Sequence, residues 1–233
     1  MIKNLYRHIR IFIKETPILY SVIAKNLSDE ARMVDKHTEI VIEGFQRSGN
    51  TFAWFLVKEL YGYKVDIAHH THSVANLKLA IKYNKKLIVI IRDPLDSLTS
   101  AAIYRCKDGD VKCVNNHIQF LIDDYKSFYI YLGLIKLKNN VIIYHFSSLV
   151  NNPLEFCNKI SPVERVAHND GQSISDIAIN SQRIYESKKN ISKHMSTQVN
   201  NSKNILKDIV KKHISSSYKK QLIELDCLYN LVD

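Results

Sequence analysis

The chain has 233 residues, of which 45% are hydrophobic and 24% charged, and its formal charge is +10. This length suits one domain with a substantial core, and this composition excludes a disordered or fibrous protein. The positive charge favours an anionic ligand or partner, such as a nucleotide, a nucleic acid, an anionic glycan or a membrane surface.

The N-terminal segment, residues 1–36, mixes apolar and basic residues. Arg10, Lys14 and Glu15 interrupt its apolar stretches, so we expect no transmembrane segment, which needs a run of about 18 apolar residues. The segment also lacks the apolar core and cleavage site of a secretory signal. We expect it to form helices that pack on their own domain, with peripheral contact to a membrane surface as the alternative.

The next segment predicts a strand, a loop and a helix. EIVIEGF (39–45) is a β-branched run typical of a buried strand, and 50–61 has apolar residues at helical spacing. Between them, Gly44 to Thr51 reads G-x-x-x-x-G-N-T, the frame of a phosphate-binding loop with asparagine at the lysine position. Its glycines let backbone N–H groups approach an anion, and Arg47 adds a positive charge.

Strands and helices alternate along the rest of the chain. Further strands are predicted at 63–69, 86–93 and 139–146, and helices at 74–83, 94–104, 114–137, 153–160 and 203–231. This order predicts an α/β, three-layer P-loop-like fold with a mostly parallel central sheet flanked by helices. Ligands bind such sheets at the edge where the strands end.

The strand 86–93 ends in Arg92 rather than in the acidic residue that would serve Mg²⁺ in an NTPase. The segment RDPLDSLTS separates Arg92 from Ser100 by eight residues, so both can reach one anion if Ser100 lies on the next helix. A strand that ends in a cation favours a second phosphate site over a metal site. The alternative is a surface ion pair between Arg92 and Asp96.

Two phosphate sites at one sheet edge suit a nucleotide with 5′ and 3′ phosphates, and both motifs resemble those of one family. GFQRSGNTF resembles the 5′-phosphosulfate loop of the PAPS-dependent sulfotransferases, P-[KR]-S-G-[TN]-T-[WF]. IIRDPLDSLTS is similar to their 3′-phosphate motif, R-[ND]-P-x-D-x-x-x-S, and follows in the family's order. The resemblance covers 39–100 and extends more faintly to 153.

The resemblance implies PAPS as co-substrate, PAP as product and no required metal. It places Arg47 at the leaving bridging oxygen, Phe52 on the adenine, and Arg92 with Ser100 at the 3′-phosphate. The residues that would hold the 5′-phosphate are Ser48, Gly49, Asn50 and Thr51. Gln46 replaces the family's proline, a change that we expect to affect loop stiffness more than chemistry.

Sulfuryl transfer to a hydroxyl needs a base, and three histidines in AHHTHSVANL follow the second strand. The family has K-T-H here, so the resemblance assigns His72 as the base and puts His70 at the position of an auxiliary lysine. A metal site formed by His69, His70 and His72 is the rival interpretation, although no carboxylate or cysteine completes it. One or two of these histidines at the surface without a role is the plainer alternative.

Later parts of the chain match the family less well. HFSSLVNNP resembles a YEDL…P strand end, with Phe146 at the tyrosine position, where it could face the adenine without donating a hydrogen bond. The family's late R-K-G element has no match, because no glycine follows Gly171. Lys188, Lys189 and Lys193 supply cations near the expected place.

Four cysteines, Cys106, Cys113, Cys157 and Cys227, are scattered without C-x-x-C spacing. The pattern gives no zinc or thioredoxin-like motif and predicts reduced thiols in a cytoplasmic protein, with a pair between Cys106 and Cys113 as the minor alternative.

The sequence as a whole predicts one sulfotransferase domain over 1–233: an N-terminal helical segment (1–36), a nucleotide-binding core (37–160) and an acceptor or cap region with C-terminal helices (161–233). The expected acceptor is a hydroxyl compound, such as a carbohydrate, a glycan precursor or a small metabolite, bound by 104–131 and 161–202. A P-loop kinase or NTPase with a degenerate loop and a non-catalytic nucleic-acid-binding protein are the alternatives. The first lacks the loop lysine, and the second lacks a recognised nucleic-acid motif.

Overall fold

The computed structural model describes residues 2–24, 31–62, 64–106, 110–160 and 201–233, together with 174–177, 179–181 and 183. The strands are β1 (Ile40–Gly44), β2 (Ile67–His69), β3 (Lys86–Ile91) and β4 (Val141–His145). The helices are α1 (Ile2–Glu15), α2 (Pro17–Ala24), α3 (Asn50–Tyr61), α4 (Val74–Lys82), α5 (Pro94–Arg105), α6 (Val111–Ile135), α7 (Phe146–Asn151), α8 (Pro153–Ile160), α9 (Asn201–Ser217) and α10 (Lys219–Val232).

The four strands form one all-parallel sheet in the order β2-β1-β3-β4. Leu87 of β3 lies opposite Val41 of β1 and Val141 of β4, which fixes the register of the two inner strands. All five residues of β1 are buried, as expected for a strand covered by helices on both faces. The predicted α/β fold with a parallel sheet flanked by helices is confirmed.

The side chains of β3 alternate between two cores, one on each face of the sheet. Leu87, Val89 and Ile91 pack in a cluster with residues of α4, α5, α6, α9 and α10. Ile88 and Ile90 point to the opposite face, where they join residues of α3 and α8. This alternation with a period of two residues produces the three layers: helices, sheet and helices.

The N-terminal helices pack on the domain, as predicted, through the polar side of α1. Arg7 binds Asp123 of α6 in a bidentate ion pair, with N–O distances of 2.5 and 2.8 Å. In α2, Tyr20 is buried and its hydroxyl donates to the carbonyl of Thr71 at 2.8 Å. The apolar side chains of Leu5 and Phe12 are each 61% exposed. None of the helices in the described residues is long and apolar enough to span a membrane.

Several element boundaries differ from the sequence predictions. β2 begins only at Ile67, four residues later than predicted. The predicted strand 139–146 ends at His145, because the chain turns directly into the short helix α7 at Phe146. The predicted helix 203–231 is two helices that meet at Tyr218.

The prediction of four reduced cysteines is wrong for one pair. Cys106 at the end of α5 and Cys113 in the first turn of α6 form a disulfide, with their Cα atoms 5.8 Å apart. Cys157 is a buried free thiol and Cys227 an exposed one. The spacing of Cys106 and Cys113 carried no signal for the pair, because it depends on how α5 and α6 pack.

Candidate active site

The carboxyl ends of all four strands lie at one edge of the sheet, because the strands are parallel. The predicted site residues follow these ends: the loop 45–49 after β1, residues 70–73 after β2, Arg92 after β3 and Phe146 after β4. Such an edge is where open α/β sheets bind their ligands. The chain thus collects residues far apart in sequence around one surface.

The loop after β1 depends on its two glycines. Gly49 is the N-cap residue of α3 with a φ of 90°, and a Cβ there would lie 2.7 Å from Cδ2 of Phe146. A Cβ on Gly44 would lie 2.4 Å from the carbonyl oxygen of Ile90. Larger residues would therefore push the loop away from β3 and α7. No side chain caps α3, so its first-turn N–H groups are available to an anion.

Three buried polar atoms, in the loop after β1, the first turn of α3 and the helix α5, have no hydrogen-bond partner among the described residues. They are Oγ of Ser48, Oδ1 of Asn50 and Oγ1 of Thr99. Ser48 and Thr99 are both 0% exposed. Buried polar groups in proteins are nearly always paired, so a cluster of such atoms beside an uncapped helix fits a site built for a polar ligand.

Arg47 and Arg92 meet at the predicted phosphate sites. The Arg92 guanidinium donates from Nη1 to the carbonyl of Arg47 at 2.7 Å, and Nε of Arg47 lies 3.4 Å from Oγ of Ser100. The Arg47 guanidinium also lies over the Tyr104 ring, 5.0 Å from its centroid. The Arg92 side chain therefore contacts the backbone of the loop that carries Arg47, and the Arg47 side chain contacts Ser100.

Asp96, the partner of Arg92 in the alternative interpretation, has a different ion-pair partner, although the charge of Arg92 helps to lower the pKa of Asp96. Asp96 pairs instead with Lys211 of α9, at 2.8 Å. Asp93 is the N-cap residue of α5, and its side chain accepts from the backbone N–H of Asp96. Arg92 therefore points across to the loop after β1, which is the direction that a shared anion site requires.

Two tyrosines of α6 hold the backbone of Arg92, and the sequence analysis missed both. The hydroxyl of Tyr125 donates to the Arg92 carbonyl at 2.9 Å, and that of Tyr129 accepts from the Arg92 N–H at 3.1 Å. Their rings are stacked 4.0 Å apart. Their spacing of four residues is ordinary for a core helix, so no sequence signal distinguished them.

A buried carboxylate organises the loop after β2. Glu43 of β1 is 0% exposed, and its Oε1 accepts from the backbone and hydroxyl of Thr71 and from Nδ2 of Asn76. Its Oε2 accepts from the backbone N–H of His72 at 3.0 Å. Burial raises the pKa of Glu43, while these hydrogen bonds act in the opposite direction. Glu43 is the single acid within β1, among the apolar residues 40–42, and this was the sequence signal for its role.

The contacts of His72 favour one ring nitrogen as a base. Nδ1 lies 2.8 Å from the carbonyl oxygen of Gly44, which can only accept, and 3.2 Å from Nδ2 of Asn50, which can only donate. The shorter contact favours the proton on Nδ1 and the lone pair on Nε2. Nδ2 of Asn50 also lies 3.3 Å from that carbonyl, which connects His72 to the phosphate loop. Burial lowers the pKa of His72 to about 3, so the ring is neutral at pH 7.

His70 and His69 take different positions from His72. Nε2 of His70 lies 2.9 Å from Oγ1 of Thr51 in the first turn of α3. His69 and His70 contact each other through their Nδ1 atoms, and burial lowers the pKa of His69 to about 3. Because Nδ1 of His72 is turned to Gly44, the three rings do not converge as the rival metal site would require. Among the described residues, the group with ligand atoms close enough for a metal is Cys106, Cys113 and His117, but its two cysteines form a disulfide and supply no thiolate.

The three residues predicted to be catalytic share an uncommon backbone conformation. Arg47, His70 and His72 have φ angles of 66°, 60° and 49°, in the left-handed region that residues other than glycine rarely adopt. Such conformations persist only where the surroundings impose them, and they cluster at active sites. Asn84, in the turn after α4, is the other such residue in the described part of the chain.

The two predicted adenine contacts differ in their surroundings. Phe52 is 4% exposed and packs in the core with β1 and β3, so its stacking on adenine remains a prediction that this burial does not favour. Phe146 lies at the site, with its ring 4.2 Å from the Arg92 guanidinium carbon. Lys188, Lys189 and Lys193 lie outside the described residues.

Comparisons with known proteins bear on the fold. No protein-family model matches the chain, and no curated protein matches its sequence. The structure is similar to the crystal structure of mouse sulfotransferase SULT7A1 complexed with PAP, with a TM-score of 0.55 and 10% sequence identity. The match covers 86% of this chain and 88% of that chain. At this identity the likeness shows a shared α/β fold.

Proposed function

We propose that the chain is a sulfotransferase that moves a sulfuryl group from PAPS to a hydroxyl acceptor, releasing PAP and a sulfate ester. The observation that carries the proposal is the meeting of Arg47, Arg92 and Ser100 at one sheet edge, with His72 attached to the same loop. The PAP-bound fold neighbour supports it. A carbohydrate is the acceptor that we favour.

The residues of the loop after β1 are suited to the 5′-phosphosulfate end of the nucleotide. The first-turn N–H groups of α3, Oγ of Ser48 and the side chain of Thr51 would hold the 5′-phosphate. Arg47 would stabilise the charge that develops on the bridging oxygen as the sulfur–oxygen bond breaks. Arg92 and Ser100 would bind the 3′-phosphate, and Phe146 would pack beside the nucleotide.

The loop after β2, residues 70–73, is suited to the acceptor, and we refer to it as the histidine loop. Nε2 of His72 would take the proton of the acceptor hydroxyl as its oxygen bonds to the sulfur, while PAP leaves with the electrons of the broken bond. The step requires a neutral imidazole with its lone pair on Nε2, the form that the contact of Nδ1 with Gly44 favours. His70, held by Thr51, would occupy the auxiliary position beside the transferring group.

A comparison of nucleotides tests this function. We expect PAP to raise the melting temperature of the protein, and ATP with Mg²⁺ to have little effect, because the site has two phosphate-binding regions and no loop lysine. Incubation with PAPS labelled in its sulfate and a panel of hydroxyl compounds should then yield labelled sulfate esters. Stabilisation by ATP with Mg²⁺ and not by PAP would favour the kinase alternative instead.

A further inference from the structure

A group of charged side chains beside the histidine loop has more positive than negative charge. Arg10 and Lys14 of α1 both bind the carboxylate of Asp124 in α6, and Arg105 at the end of α5 lies close enough for its charge to act on Asp124 and Arg10. We refer to Arg10, Lys14, Arg105 and Asp124 as the cationic cluster. Within the cluster, three basic side chains accompany one buried acid, and burial lowers the pKa of Lys14.

The neighbouring charged residues form no ion pair with the three basic side chains of the cluster among the described residues. Arg7 and Asp123 neutralise each other in a bidentate pair. Two further acids lie nearby: Glu15 accepts from the hydroxyl of Ser127, and Glu43 accepts from the hydroxyl of Thr71. Nη1 of Arg10 and Oδ1 of Asp124 are both buried and have no hydrogen-bond partner among the described groups. Arg10 and Lys14 side chains are 21% and 20% exposed, so a ligand can reach both.

A hydrogen bond connects the cationic cluster to the loop after β1. Nη2 of Arg105 donates to the side chain of Gln46, the residue next to Arg47, at 3.2 Å. The charges of Lys14 and Asp124 also act on His72 directly. The cluster therefore lies near the place where an acceptor hydroxyl would approach His72.

From this geometry we propose that the acceptor carries an anionic group, a carboxylate or a phosphate, which binds to the cationic cluster while its hydroxyl faces His72. This inference rests on the proposed function and names its substrate class. Guanidinium groups bind carboxylates and phosphates through paired hydrogen bonds, and an excess of positive charge in a partly enclosed site favours both. An uncharged acceptor would have no group that forms an ion pair with the basic side chains of the cluster.

Calorimetry on protein saturated with PAP tests the proposal. The probes are methyl β-D-glucuronide, its methyl ester, which has the same ring hydroxyls without the charge, and methyl β-D-glucoside 6-phosphate. At 0.15 M salt we expect at least one anionic sugar to bind ten or more times as tightly as the ester. The two anionic probes distinguish a carboxylate from a phosphate. Equal binding of all three, or no binding of any, would overturn the proposal.

Substitutions test whether the cationic cluster causes the tighter binding of the anionic sugars. Arg105→Gln changes an exposed residue and should remove most of the preference for the anionic sugar. Arg10→Gln should do the same, and Arg105→Gln suffices if that variant does not fold. Arg7→Gln, which breaks the neighbouring balanced pair, is the control and should keep the preference. A preference that survives both Arg105→Gln and Arg10→Gln would contradict the proposal. Failure of PAP itself to bind would instead contradict the proposed function.

Discussion

The two halves of the candidate active site differ in how their buried polar groups are satisfied. In the histidine half, Glu43 accepts four hydrogen bonds, and the contact with Gly44 favours one tautomer of His72. In the phosphate half, Oγ of Ser48 and Oγ1 of Thr99 have no partner among the described residues, and two arginines lie side by side. In the histidine half the protein itself supplies the hydrogen-bond partners. In the phosphate half the unpaired groups and the arginines suit a ligand with several oxygen atoms, such as a phosphate.

This difference matches what each half would do. A general base must keep one orientation and one protonation state before the acceptor arrives. The hydrogen bonds that orient it must therefore come from groups of the protein. A nucleotide site gains affinity from donors that no protein group already occupies. Substitutions in the histidine half should therefore affect turnover or stability, and those at Arg92 should affect nucleotide affinity.

The largest effect is expected for His72→Asn. Without Nε2 as a proton acceptor, kcat should fall by about a thousandfold, since general bases contribute roughly 10²–10⁴. Stabilisation by PAP should be unchanged. The rate of sulfate-ester formation measures the effect, and His37→Asn, at an exposed position, is the control. An active His72→Asn enzyme would rule out His72 as the base.

A somewhat smaller effect is expected for Arg47→Ala. Removing a charge that stabilises the leaving oxygen should lower kcat by roughly 10²–10³. Because Arg47 serves the transition state, the affinity for PAP should fall much less than kcat. Steady-state kinetics with PAPS and PAP titrations separate the two quantities. Arg32→Ala, which removes a half-exposed cation paired with Asp66, should leave both unchanged.

Glu43→Gln should reduce stability and turnover together. A glutamine whose oxygen faces Thr71 and Asn76 turns its amide N–H₂ toward the N–H of His72, which then lacks an acceptor. We expect a loss of about 1–3 kcal/mol in the free energy of unfolding, and a roughly tenfold lower kcat. Urea unfolding and kinetics check both, with Glu224→Gln at the exposed pair with Lys126 as the control. Unchanged stability would show that Glu43 does not hold the loop.

The pH dependence of stability gives the smallest effect. The unfolded chain protonates His72 below pH 6.5, whereas the pKa of the folded form is lowered to about 3. Between these values the unfolded state binds more protons, so His72 makes the free energy of unfolding rise with pH. From pH 5 to pH 7 this rise should be about 1–2 kcal/mol smaller in His72→Asn than in the unaltered protein. Urea unfolding measures the free energy at both pH values. An equal rise in the two proteins would contradict the lowered pKa of His72 in the folded state.

The sequence predicted the phosphate half better than the histidine half. Arg92 and Ser100 are close in sequence, and a strand followed by a helix is sufficient to bring both to one edge. Glu43 and Asn76 are 33 residues apart, and their contact depends on the packing of α4 against the sheet. Tyr125 and Tyr129 reach Arg92 from α6 for the same reason. Such contacts form only when separate elements pack, so their residues had no motif.

The cysteines and α7 show a second limit of the sequence. The disulfide joins the ends of two helices, and its geometry depends on where those helices meet. The β-branched run before Phe146 continued the strand pattern, but the chain turns into α7 at that residue. In that position the Phe146 ring lies against Gly49 and the Arg92 guanidinium.

The central claim is that one sheet edge binds two phosphates of the same nucleotide. Calorimetric titration with PAP and with 5′-AMP, which lacks the 3′-phosphate, tests it most directly. We expect PAP to bind about 10–100 times as tightly as 5′-AMP, since hydrogen bonds to charged groups contribute about 1.5–3 kcal/mol. Arg92→Ala should abolish the difference, and Lys126→Gln should preserve it. Equal affinity for the two nucleotides in the unaltered protein would contradict the claim.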